Sequence, residues 1–260
     1  MTFLPAHRQG GHAVRMEWGP TGAEAVADGV DVAVVVDVLS FTTTLTVAVE
    51  RGMVVHPFRW KDERAAAYAA ERSAVLAGPR GPGVSLSSAA MLEVSGVDRI
   101  VLPSPNGSAI SFGLAGGDVR VVGASLRNAG AVARWLPDGA RVAVVAGGER
   151  WPDGSLRPAV EDLWGAGAVL AALVDRGVGD LSPEARVAER AFRAVADRLP
   201  AELRACASGR ELVDAGFGAD VDVAADLDAS AVVPLLTGDA FGPAPGTACG
   251  GTGGAVGPRW

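Results

Sequence analysis

Short runs of valine alternate along this chain with longer stretches in which alanine and leucine recur every three or four positions. The first pattern belongs to strands buried on both faces, the second to helices packed along one side. Strands are therefore predicted at His12 to Trp18, Val32 to Val36, Val54 to Phe58, Arg99 to Leu102, Val119 to Gly123 and Val142 to Ala146. Helices are predicted at Thr21 to Ala27, Thr43 to Arg51, Lys61 to Leu76, Ser85 to Val94, Ser108 to Ala115, Asn128 to Leu136 and Val160 to Arg176. Pro183 to Arg198, Glu202 to Ala207 and Ser208 to Ala215 follow as further helices, so the last third is nearly all helix. Its only other candidate elements are Asp220 to Leu227 and Val232 to Leu235. The alternation predicts an α/β protein with a mostly parallel sheet and helices on both faces.

The Gly/Pro-rich segment Gly78 to Ser88 reads as a surface loop near a site. After Phe241 the sequence offers almost nothing for a core, so residues 242–260, with Cys249 among them, are expected to be a flexible tail. Residues 1–241 then form the α/β domain, as one body or as two lobes.

Val30 to Gly52 carries the densest information. Its buried strand ends on Asp37, the chain turns through Ser40, Phe41, Thr42, Thr43 and Thr44, and the helix stops at Gly52, a common C-terminal cap. Ligands of open α/β sheets bind outside the carboxyl ends of the strands, so an acid and four hydroxyls here mark a candidate site. The same groups can equally serve as scaffold, bonding loop amides and capping the helix.

Three more polar sets follow predicted strands: Asn106-Gly107-Ser108, Ser125-Leu126-Arg127-Asn128 and Gly147-Gly148-Glu149-Arg150. If the strands are parallel, all converge on one sheet edge. Glu161 and Asp162 open the long helix that follows, where the helix dipole alone would favour acids. Asp37, Glu149, Glu161 and Asp162 are hard oxygen donors suited to Mg2+, which keeps several waters and needs only one or two direct carboxylates. Amides of Thr42 to Thr44 and of Gly107 and Ser108, at helix starts, suit phosphate oxygens. Arg127, Arg150 and Arg210 are the guanidinium candidates, and Asn106 and Asn128 add neutral oxygens.

Composition removes several alternatives. The 260 residues are 49% hydrophobic but only 5% aromatic, which suits helices on a valine-rich sheet. A net charge of −7 with no basic run argues against nucleic acid as partner. No apolar run reaches the roughly 18 residues of a membrane span, and the first residues lack a signal-peptide core. A soluble cytoplasmic protein is expected, with self-association into a homo-oligomer left open. Two cysteines and three scattered histidines form no zinc pattern. There is no GxxxxGK[ST], no GxGxxG after a strand, no GxSxG and no HExxH, which disfavours nucleotide-binding and dehydrogenase readings.

The ordered segments VDVLSFTTTLTVAVERG (Val36 to Gly52), PNGS (Pro105 to Ser108), GASLRNAGAVARWL (Gly123 to Leu136), GGERW (Gly147 to Trp151), EDLWGAGAV (Glu161 to Val169) and Ser208 to Pro234 resemble the 2-phosphosulfolactate phosphatases of the ComB type. The resemblance implies a three-layer α/β/α fold. It also implies a magnesium-dependent phosphatase acting on a small phosphorylated acid, with 2-phospho-3-sulfolactate giving 3-sulfolactate and phosphate. Ser40-Phe41 stands where that family usually has Arg-Ala, Pro79 where it has a glutamate, and Ser87 to Ala90 replaces a Gly-Asn-Ser-Pro stretch. These departures motivate an alternative, a catalytically silent protein that binds an anionic metabolite.

Overall fold

The computed structural model describes residues 2–59 and 63–247. Its strands are β1 (Val14–Trp18), β2 (Val32–Val36), β3 (Val54–Phe58), β4 (Val75–Leu76), β5 (Arg99–Pro103), β6 (Arg120–Ala124), β7 (Val142–Ala146), β8 (Glu149–Arg150), β9 (Leu156–Arg157), β10 (Pro234–Thr237) and β11 (Ala240–Pro243). The helices are α1 (Gly19–Val26), α2 (Phe41–Glu50), α3 (Glu63–Glu71), α4 (Ser88–Glu93), α5 (Gly107–Leu114), α6 (Ala129–Trp135), α7 (Val160–Asp175), α8 (Pro183–Arg193), α9 (Leu199–Ala205), α10 (Ala207–Asp214) and α11 (Gly218–Ala225).

Nine strands form one sheet in the order β1-β7-β2-β6-β10-β11-β3-β5-β4, and β8 and β9 form a separate hairpin. Strand β2 shows why the valine runs behave as they do. All five of its residues are buried, and it pairs in parallel with β6 on one side and β7 on the other. Side chains alternate across a strand. Val32, Val34 and Val36 accordingly join a core with residues of α6, α7 and α8, while Val35 joins a second core with α1, α2 and α5. The result is the α/β/α layering that the resemblance implied.

The sheet is mostly parallel but not uniformly so. Strands β1, β7, β2 and β6 run parallel as one group, and β3, β5 and β4 as another. Between them sits the β10–β11 hairpin, antiparallel to β6 through Leu235 and Val122 and to β3 through Phe241 and Val55. Following these pairings, the second group runs opposite to the first.

This hairpin corrects the expectation that the tail begins right after Phe241. Gly242 and Pro243 belong to β11, and Phe241 is fully buried, edge-to-face with Phe41 at 6.4 Å. Four-residue strands carry too little periodicity to stand out beside Pro and Gly. The legible signal was the two-residue turn Gly238-Asp239, with glycine first at φ +63°, a favoured hairpin geometry. Residues 248–260, with Cys249, lie outside the described residues.

Two predicted helices end well before their expected last residue. The described part of the stretch expected from Lys61 to Leu76 is α3, which ends at Glu71; Val75 and Leu76 form β4 against β5, while Lys61 itself lies outside the described residues. The stretch expected to run unbroken from Pro183 to Arg198 stops at Arg193, and a new helix starts at Leu199 with Pro200 in its first turn, where a missing N–H costs nothing. No helix among the described residues is long and apolar enough to cross a membrane.

Candidate active site at the end of β2

Asp37 follows β2 directly and is only 3% exposed. The turn behind it folds back so that the Phe41 amide donates to Asp37 Oδ1 at 3.2 Å. Thr42 Oγ1 donates to the Asp37 carbonyl at 2.8 Å and accepts from the Asp37 amide at 2.9 Å. From the other group of strands, the segment after β5 reaches across. The Gly107 amide, at the start of α5, donates to Asp37 Oδ2 at 2.7 Å, and Ser104 Oγ lies 3.4 Å from the same oxygen. Helix α5 packs against α1 and β2, which carries this crossing. With all strands parallel, the four polar sets would share one sheet edge. The Asn106 set comes instead from an oppositely directed strand, and it still meets Asp37.

Three further carboxylates gather around Asp37. Asn106 Nδ2 donates to Glu149 Oε2 at 3.0 Å, tying the β5 segment to β8. Asp162, in the first turn of α7, accepts from the Val38 amide at 2.7 Å and the Gly148 amide at 2.7 Å, so it clamps the ends of β2 and β7 together. Glu161 is 2% exposed and faces Cys206 Sγ at 3.6 Å.

Burial and repulsion between neighbouring carboxylates raise the proton affinity of Asp37, Asp162 and Glu149. Desolvation pushes Asp37 up, against the pull of the Gly107 and Phe41 amides and the Ser104 hydroxyl, and Glu161 adds to the rise. Asp162 is pushed well above the carboxylate range by burial, then by Asp37 and Glu161. For Glu149, burial first and Asp37 second bring the value up to about 7, with Asn106 pulling the other way. Burial and Glu161 also push the Cys206 thiol up to about 12, which makes it a poor nucleophile at neutral pH.

Other candidates are committed elsewhere. Thr43 Oγ1 donates to the Val38 carbonyl and Thr44 Oγ1 to that of Leu86. The amides of Thr42 and Thr44 are bonded to the Asp37 and Ser40 carbonyls. Ser108 Oγ bonds the backbone of Phe58 and Leu102. Asn128 caps the turn after β6, accepting from Ser125 and donating to Gly123 and Val232 carbonyls. Arg127 binds Val223 and Asp226 and lies 3.8 Å from Glu50, at the far end of α2 from Phe41. Nine helical steps separate Phe41 from Glu50, roughly 13 Å of rise. Arg150 is exposed and donates to Gly154 and Pro105 carbonyls. Arg210 is exposed on α10.

Two residues at the site escaped the sequence argument. Arg80, in the Gly/Pro-rich loop, donates through Nη2 to Ser40 Oγ at 3.1 Å and through Nη1 to the Leu86 carbonyl at 3.1 Å and to Asp220. Asp220 is 1% exposed and also accepts from Ser87 Oγ at 2.6 Å and the Ala89 amide at 3.0 Å. An arginine isolated in a glycine- and proline-rich loop was the available signal. It stands beside Ser40, where the resemblance leads one to look for an arginine in the chain of residue 40 itself.

Among the described residues, no three His, Cys, Asp or Glu side chains are close enough together to form a ready-made metal cage. The donor set nonetheless suits one hard cation. Asp37 and Glu149 are carboxylates that follow the neighbouring parallel strands β2 and β7, and magnesium needs only one or two such groups beside its waters.

Residues 21–239 match the family model described as 2-phosphosulpholactate phosphatase. A protein of Deinococcus radiodurans named probable 2-phosphosulfolactate phosphatase is 35% identical over 218 residues, covering 79% of this chain and 88% of its own. A protein of the same name from Thermus thermophilus is 34% identical over 220 residues, covering 80% of this chain and 89% of its own. The strand-end acids, the PNGS turn and the GGER hairpin all fall within the matched span. On these grounds the chain belongs to the 2-phosphosulpholactate phosphatase family.

Proposed function

We propose that the protein is a magnesium-dependent phosphatase that hydrolyses a small 2-phosphorylated organic acid of the phosphosulfolactate type to the hydroxy acid and phosphate. The observation that carries this reading is Glu149, half-buried beside Asp37, oriented by Asn106 and with its proton affinity brought to about 7. A carboxyl poised near neutrality can exchange a proton during the reaction or give it up on binding a cation.

Asp37 and Glu149 would hold the magnesium, within reach of the charge of Glu161. When bound, the ion supplies positive charge that offsets the acids and the phosphate and lowers the pKa of bound water. The chain's own groups do the remaining work. The Gly107 and Phe41 amides hold Asp37 in place, and Asn106 aims Glu149. Asp162 fixes the strand ends that carry both. Arg80 and Ser40 offer donors to an anionic group. In the overall step a water oxygen bonds to phosphorus, the bond from phosphorus to the C2 oxygen breaks, and a proton passes to that oxygen as the hydroxy acid leaves.

Phosphate release from 2-phosphosulfolactate and a panel of phosphorylated acids, with magnesium and with EDTA, tests the reading. Asp37→Asn and Glu149→Gln should each lower turnover on the order of a hundredfold or more while a cooperative unfolding transition is retained. Wild-type-like turnover in both variants would remove these acids from the mechanism. Ligand-induced stabilisation without phosphate release would favour the binding-protein alternative.

A further inference from the structure

The β8–β9 hairpin carries a cation towards the acidic cluster as well as an acid. Glu149 of β8 is the register partner of Arg157 in β9, and directly paired residues of an antiparallel ladder project from the same face. The base of the hairpin is fixed against the acids. Gly148, whose amide donates to Asp162 at 2.7 Å, comes so near β9 that a Cβ on it would stand 3.0 Å from the Arg157 carbonyl oxygen. The charge of Arg157 reaches Glu149 and opposes the rise in its proton affinity. Arg157 Nη2 donates to Ser208 Oγ at 3.0 Å, and the guanidinium carbon lies 5.8 Å from the Trp151 ring centroid. Ser208 is buried in the first turn of α10, two residues beyond Cys206, whose thiol faces Glu161. The half-buried guanidinium is thus held by one contact on its own hairpin and one on α10. Among the described residues it forms no ion pair with a carboxylate, and its Nε and Nη1 donors have no hydrogen-bond partner.

From this geometry we propose that Arg157 binds the phosphoryl group of the substrate, with Ser208 holding the guanidinium in place. The inference rests on the phosphatase reading and deepens it, because it assigns the chain's own counter-charge for the phosphate. Asp37, Glu149, Glu161 and Asp162 would repel a phosphate, so the site gains from positive charge supplied by the protein itself. An arginine presents parallel N–H groups that match two phosphate oxygens, and here those groups are left open. Glu149 would hold the cation to which phosphate oxygens are drawn, and a guanidinium on the same hairpin face is placed to meet them. Arg157 forms no covalent bond. It stabilises charge on the phosphoryl oxygens while the bond from phosphorus to the C2 oxygen breaks. Ser208 acts through Arg157, as a positioning residue.

The test uses the full chain and titrates inorganic phosphate, 3-sulfolactate and magnesium separately by calorimetry, beside phosphate release from 2-phosphosulfolactate. With magnesium present, Arg157→Ala should weaken inorganic phosphate about tenfold or more and lower kcat/KM at least as much. 3-Sulfolactate, which lacks the phosphoryl group, should be affected clearly less. Magnesium titrated alone should bind as tightly as to the wild type or more tightly, because a neighbouring positive charge has gone. Added guanidinium ion, below denaturing concentration, should return part of the lost turnover. Ser208→Ala should weaken phosphate severalfold with magnesium binding unchanged. Phosphate affinity within twofold of wild type in Arg157→Ala overturns the proposal. A parallel loss of magnesium affinity does so too, since it would show that the residue only braces the hairpin, and so does a larger loss for 3-sulfolactate than for phosphate. Should Arg157→Ala not fold, Arg157→Lys, which keeps the charge but not the fork, decides by the same titrations. Phosphate binding that is weakened in the variant, with no ester hydrolysed by the wild type, supports Arg157 as the phosphate site and sinks the phosphatase reading. Efficient hydrolysis that is unchanged in Arg157→Ala does the reverse.

Discussion

The amide of Gly107 reaches Asp37 Oδ2 at 2.7 Å because residue 107 has no side chain. A Cβ there would stand 2.6 Å from Phe41 Cδ1 and 2.7 Å from Asp37 Cβ, closer than atoms of a packed core tolerate. Gly107→Ala must therefore push α5 away from β2 or turn the Asp37 carboxylate aside. The expected cost is about 1–3 kcal/mol by denaturant titration, with phosphate release down tenfold or more. If stability and turnover both stay at wild-type values, the close approach is not what holds Asp37.

The acidic cluster makes stability depend on pH in an unusual direction. A carboxyl buried with its proton affinity raised binds that proton more tightly folded than unfolded. Its contribution is complete below the unfolded value of 4.5 and is lost as pH rises towards about 7 for Glu149. That window is worth on the order of 3 kcal/mol for a shift of this size, and Asp37 and Asp162 shift in the same sense. Without divalent metal, the melting temperature should fall between pH 5 and pH 8. Glu149→Gln should flatten the fall, and magnesium should restore stability at pH 8. A melting temperature that climbs over this range in metal-free buffer contradicts the account.

Asp220 gathers Arg80, Ser87 and the Ala89 amide around one buried carboxylate. Its removal leaves a largely buried guanidinium without its counter-charge, and breaking such a pair typically costs about 3–5 kcal/mol. Arg80 keeps some solvent contact, so Asp220→Ala should fall near the lower end of that range. Urea unfolding measures it, and a change below about 0.5 kcal/mol would mean that water or a neighbour replaces the carboxylate.

Much of this arrangement could be read from residue order. The strand from Val32 to Val36, fully buried on both faces, sits in the sheet as its valine run requires. Asp37, Asn106, Glu149, Glu161 and Asp162 were picked out because they follow strands or open a helix, and they do come together. What the order of residues could not convey was direction. The Asn106 set arrives from a strand that runs opposite to β2, since only the β10–β11 pairings reverse the sheet. Nor do hydroxyls announce their partners: Thr43 and Thr44 bond nearby carbonyls, and Asn128 caps its own turn. Arg80 escaped because its meaning depends on Asp220, 140 positions later.

The β10–β11 hairpin bears on how the chain is made. Strands β6 and β3 leave the ribosome long before the hairpin that joins them, so until residue 243 is synthesised each presents an open edge. Such edges template pairing with other chains. Until then the socket that buries Phe241 against Phe41 is unfilled, and the edges of β6 and β3 lack the partners that join the two strand groups into one sheet. A stop codon before Pro234 would leave both edges unpaired, which makes this late hairpin a checkpoint on the whole sheet.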